Sequence, residues 1–119
     1  MNGIGVYQET AVCTQNRGRL IVTLYDGAIR FLNQAIEDLK VMDYEAKGRN
    51  IKKASDIIYE LNTVLNMGEG GQIAQNLRSL YNFMLNHLNE ANIEKGTKKV
   101  QDIINQLKEL NESWRAITA

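Results

Sequence analysis

The chain is predicted to be all-α: an antiparallel, up-down-up-down four-helix bundle preceded by an N-terminal arm. Three observations lead there. The 119 residues contain no proline, the residue that most disrupts helix interiors. Apolar residues recur at alternating steps of three and four in four separate segments, which puts each set on one face of a 3.6-period helix. The connectors are short and most carry glycine, so successive helices should lie side by side and antiparallel. A chain of 119 residues fits a single domain, 1–119, long enough to bury a core without metal or disulfide support.

Residues 1–15 are assigned to the arm. Their polar and apolar residues alternate imperfectly, and Ile4, Val6 and Tyr7 are the side chains by which such a terminus can dock. The first helix, about 17–42, has the cleanest pattern. Ile21, Tyr25, Ala28, Leu32, Ala35, Leu39 and Met42 form a heptad seam, with Asn16 placed to cap its start. Leu20, Leu24, Phe31 and Ile36 widen that stripe, as suits a helix with more than one neighbour. The second helix, about 44–66, opens on the signal Asp43 to Lys47 and repeats the spacing at Lys47, Ile51, Ala54, Ile58, Leu61 and Leu65. Gly48 weakens its first turn, and Lys52 and Lys53 are placed to pair with Asp56.

Gly68, Gly70 and Gly71 then let the chain reverse, because glycine takes positive φ at little steric cost. The third helix, about 72–92, carries Ile73, Leu77, Leu80 and Met84 with Ala74 and Tyr81 beside them. Gly96 turns the chain again and Thr97 is placed to cap the fourth helix, about 97–117. Val100, Ile103, Leu107, Leu110, Trp114 and Ile117 complete the fourth stripe.

Composition excludes several function classes. With 14 basic and 14 acidic residues there is no overall field to attract nucleic acid or an anionic membrane. No apolar run approaches the ~18 to 20 residues that span a bilayer, so membrane insertion is not expected. The single cysteine, Cys13, has no internal disulfide partner, and no charged start leads into an apolar signal stretch, which places the chain in the cytosol.

Catalysis finds no support. A di-iron bundle needs Glu-x-x-His pairs; the one histidine is His87, and the residue three before it is Met84. His87 therefore reads as an exposed or boundary helix residue. The glycines at 68, 70 and 71 lack the preceding strand and following Lys-Ser/Thr of a phosphate loop. An enzyme would have to use Asp26, Arg30 and Glu37, which fall mostly on a solvated helix side. No cofactor and no metal are expected. What remains is an apolar surplus at Leu20, Leu24, Phe31, Ile57, Val64, Leu80 and Leu85, which suits a surface that accepts an amphipathic helix of another protein.

Tyr7, the run from Leu20 to Leu32 (LIVTLYDGAIRFL), Lys53-Ala54 with Ile57-Ile58-Tyr59-Glu60-Leu61, Gly70-Gly71-Gln72-Ile73-Ala74-Gln75-Asn76-Leu77, Leu80-Tyr81, Ala91-Asn92 and Trp114 together resemble the FliS family of flagellin-specific export chaperones. Where that family often has Ser-Pro before its first helix, this chain has Asn16-Arg17-Gly18. The resemblance implies a bundle in the bacterial cytosol that binds the disordered C-terminal region of flagellin. Such a chaperone keeps subunits from polymerising before the flagellar type III apparatus exports them, and its own arm occupies part of the surface when no client is bound. Export-gate components or a co-chaperone are further candidate partners. The expected partner-binding residues are Tyr7, Leu24, Tyr25, Leu61, Leu65, Ile73, Leu77 and Tyr81, on a groove bordered by the first three helices, with Ile4, Val6 and Tyr7 as an autoinhibitory arm. The competing reading is a helical adaptor or regulator that binds some other amphipathic segment.

Overall fold

The computed structural model describes the backbone of residues 3–65 and 67–118 and the side chains of residues 17–65 and 67–117. It contains α1 (Gly3–Lys40), α2 (Tyr44–Thr63), α3 (Gly71–Ile93) and α4 (Lys98–Thr118), and no strand among the described residues. Each helix packs on two neighbours, and α4 returns to α1 to close the ring. The cross-links run antiparallel throughout. Asn50 of α2 bonds Asp38 of α1 at 2.7 Å, near the α1–α2 turn, whereas a Cβ on Gly27 would meet Ile57 further along. Lys99 at the start of α4 pairs with Glu90 at the end of α3, and Asn111 and Arg115 at the other end of α4 reach Asp26 of α1.

The apolar stripes meet in one core. Tyr25, Tyr81, Leu32, Ile58, Met84, Leu88, Ile103 and Leu107 are among its largest members, and the seam alanines 28, 35, 54 and 91 let the backbones approach. One seam position is a lysine. Lys47 is buried among the helix ends, and its Nζ donates to the carbonyls of Asn92 (3.1 Å) and Glu94 at the C-terminus of α3. It thereby satisfies acceptors that a helix end leaves free and places a cation at the negative pole of the helix. Gly48 beside it lets Asn92 come close, since a Cβ there would stand 3.3 Å from Asn92 Oδ1.

Several boundaries differ from the expectation. The first helix starts at Gly3, so residues 3–16 continue it and Asn16 lies inside the helix instead of capping it. The missing proline explains this: Asn16-Arg17-Gly18 has nothing that forbids helical backbone. At ~1.5 Å per residue, the 38 residues of α1 match the 55 Å long axis of the molecule. The other helices have 20, 23 and 21 residues, so the first turns of α1 run on past the end where α2 meets α3.

Met42 was expected to end the first seam. It is instead 71% exposed with φ of 57°, in the turn that stops α1. Asp43 N–H bonds the Asp38 carbonyl and Met42 N–H the Leu39 carbonyl, the paired pattern of a left-handed helix stop. Asp43 then caps α2 by accepting from Ala46 N–H at 3.0 Å. α2 stops at Thr63, and Gly71, at φ of 55°, opens α3. Lys52 pairs with Asp56 at 3.1 Å as expected, but Lys53 lies over the Phe31 ring.

Candidate partner-binding site

Where α1 passes the end of α2, the bundle holds an apolar cleft of about 170 Å³. It is lined by Arg17 and Ile21 of α1, Leu61 of α2, Val64 and Leu65 just after it, Tyr81 of α3 and Trp114 of α4. The same end carries the exposed side chains of Leu20, Val64, Ile73 and Ile117. Apolar groups collect there because the stripes that fill the core continue to this end of the helices. An apolar cleft with further exposed apolar side chains at the same end marks an interaction site more often than an isolated exposed leucine does.

The floor of the cleft is polar in one respect. Tyr25 and Tyr81 are fully buried, and their hydroxyls meet at 2.6 Å across the core. Trp114 lies against Tyr25 with ring centroids 6.5 Å apart and is also a hydrogen-bond partner of its hydroxyl. Burial raises the pKa of Tyr25 against the opposing effect of those hydrogen bonds. Tyr81 is raised by burial and further by Tyr25. Both phenols therefore stay neutral, each supplying the other with the partner that a buried hydroxyl needs.

Beside the aromatics, Asp26 ties α1 to α4. It accepts from Asn111 Nδ2 at 2.8 Å and from Arg115 at 2.6 Å. The clamp engages Asp26 apart from Arg30 and Glu37, the other two residues that an enzyme would have to use. Arg30 lies over the Phe31 ring and Glu37 pairs with Lys40, so the three do not converge. His87 is partly buried, stacks on Phe83 with centroids 5.1 Å apart, and stands 3.7 Å from Asp102.

Of the expected partner-binding residues, Leu61, Leu65 and Tyr81 line the cleft. Tyr25 lies beneath it in the core, Leu24 and Leu77 are half-buried against that core, and Ile73 is 73% exposed at the start of α3. The side chains of Ile4, Val6, Tyr7 and Cys13 lie outside the described residues. Ile21, Val64 and Trp114 line the cleft without having been singled out as site residues. Each carries a sequence signal, as a seam position, a broadening position and the late tryptophan. Arg17 had none.

The family model described as "Flagellar protein FliS" matches residues 1–119. The chain belongs to the FliS family. It is 34% identical to the flagellar secretion chaperone FliS of Vibrio cholerae over 83% of this chain and 73% of that protein. The Salmonella typhimurium FliS is 34% identical over 92% of this chain and 82% of its own length. The Bacillus subtilis FliS is 29% identical over 96% and 84%. For this FliS-family member the all-helical bundle is thus the expected fold, and secretion chaperones are not an enzyme class. No helix among the described residues is long and apolar enough to cross a membrane.

Proposed function

We propose that this FliS-family chain is a cytosolic export chaperone that binds the disordered C-terminal region of flagellin. It holds flagellin unpolymerised and supports its delivery to the flagellar type III apparatus. The observation that carries this reading is the cleft between Ile21, Leu61, Val64, Leu65, Tyr81 and Trp114, at the end of the bundle that also exposes Leu20, Ile73 and Ile117. An unfolded client loses chain entropy when it is ordered, so its affinity must come from apolar anchors spread over a large surface. A neutral chaperone with apolar seats at its end offers such anchors without drawing polyanions. We assign Ile4, Val6 and Tyr7 to an arm that competes with the client for this surface.

Isothermal calorimetry against a peptide spanning the flagellin C-terminal region tests the reading. Saturable binding tighter than tens of micromolar is expected, about −6 kcal/mol or better. Val64→Lys puts a charge on a rim residue that the core does not need and should weaken binding about tenfold, as the loss of one desolvated anchor does. Absence of binding by the unmodified chain would defeat the reading.

A further inference from the structure

No glycine stops α2. Its last residue is Thr63, and Val64 follows at φ of −89°, not in the left-handed region where Met42 ends α1. The last carbonyls of a helix need donors from outside the ladder. Val64 N–H and the Thr63 hydroxyl donate to the Glu60 carbonyl, at 3.2 and 2.8 Å. The Asn62 carbonyl receives only a long bond of 3.5 Å from Leu65 N–H. Arg78 of α3 completes it: Nη2 donates to that carbonyl at 3.2 Å, and Nε donates to Asn62 Oδ1 at 3.3 Å. Asn62 Nδ2 in turn donates at 2.9 Å to Asn82 Oδ1, one helical turn beyond Arg78.

The residues of this latch alternate with those of the cleft. Leu61 precedes Asn62, Val64 and Leu65 follow it, and all three line the cleft; Tyr81, between Arg78 and Asn82, lines it from α3. Val64 and Leu65 lie past the end of α2, so the helical ladder does not fix them. The guanidinium suits the task of fixing them. Its planar fork sets two donors in one orientation, and its charge lies at the negative pole of α2. A wall already held in its bound geometry loses less freedom when a client docks, and that saving appears as affinity.

We propose that Arg78 is a positioning residue for the client cleft: through Asn62 it holds the end of α2 against α3 and so fixes Val64 and Leu65 where they receive the client's apolar anchors. The proposal rests on the reading that this cleft binds flagellin. It adds that a polar latch outside the cleft lining sets the shape of the apolar wall.

The test compares full-length variants in calorimetry with a flagellin C-terminal peptide. Arg78→Met keeps the apolar stem, removes both donors, and should weaken binding about tenfold. Arg78→Lys, which restores one donor without the fork, should recover to within about threefold of the parent. Lys47→Met is the control for lost stability alone, because it loosens the end of α3 away from the cleft; it should leave affinity unchanged. In the free chain, Arg78→Met should speed amide exchange at Val64 and Leu65 and shift Trp114 emission, and Lys47→Met should do neither. Asn82→Ala, at an exposed position, should move the same two readouts in the same direction and carries the test if Arg78→Met does not fold. Parental affinity in Arg78→Met, or an equal loss in Lys47→Met, would overturn the positioning role and leave the chaperone reading standing. If the parent chain binds no peptide, the chaperone reading falls, and the latch is judged by exchange at Val64 and Leu65 and by Trp114 emission: no change in either overturns it too.

Discussion

The 2.6 Å contact between the Tyr25 and Tyr81 hydroxyls joins α1 to α3 across a core that is otherwise almost wholly apolar. Because Trp114 is a further hydrogen-bond partner of Tyr25, Tyr81→Phe leaves the Tyr25 hydroxyl one partner, whereas Tyr25→Phe takes from the buried Tyr81 hydroxyl the partner it has at 2.6 Å. Unfolding in urea should show each single variant destabilised by ~1–3 kcal/mol, with Tyr25→Phe the larger loss and the double variant less damaged than the sum. The pH dependence follows from the raised pKa values. The unfolded chain releases tyrosine protons near 10, whereas the folded chain holds those of Tyr25 and Tyr81 to higher pH. Their contribution is complete below pH ~10 and is lost as pH climbs beyond it. Ultraviolet titration should show Tyr25 and Tyr81 ionising only as the chain unfolds. Periodicity put both tyrosines on inward stripes. That their hydroxyls meet was not legible, because it depends on the register of helices 56 residues apart.

At the scale of elements, the stripes of α1 to α4 were readable because 3.6-residue spacing is local. The helix ends were less so. Asp43 carries an N-cap signal and serves as one, but Met42 continues a heptad and nothing in the spacing says that the chain turns left-handed there. Met42→Gly should raise stability by ~1 kcal/mol in a urea titration, since only glycine adopts that conformation without steric cost. A loss would mean that the methionine side chain contributes more than its exposure suggests. Lys47 is the other surprise of this scale, a seam position that caps a different helix. Burial lowers its pKa and the Glu94 carboxylate opposes that shift. Lys47→Met removes two charge-assisted bonds to the end of α3 and should cost ~2 kcal/mol or more. The loss should show in the urea midpoint, and faster amide exchange should be confined at first to residues 88–93.

For the whole molecule, the number of helices and their antiparallel order followed from four stripes and short connectors, and the absence of proline carried the fold class. The course of α1 did not follow: residues 3–16 extend its helix beyond the bundle, so deletion of residues 1–15 should lower helical content measurably while the bundle core survives. If the arm competes for the client surface, the same deletion should change flagellin affinity, and calorimetry checks both halves of that statement on one sample. The cleft itself was legible only in part, through Leu61, Leu65 and Tyr81. Its outline needs all four helices at once, and a stripe residue reads alike whether it ends in the core or at the mouth. Trp114 is the only tryptophan in the chain and lines that mouth, so its emission reports directly on occupancy. Titration with a tryptophan-free peptide of the flagellin C-terminal region should give a saturable shift of Trp114 emission, at the same midpoint as the calorimetric isotherm and moved about tenfold by Val64→Lys. Binding heat without any change at Trp114, or no binding at all, would contradict the placement of the client in this cleft.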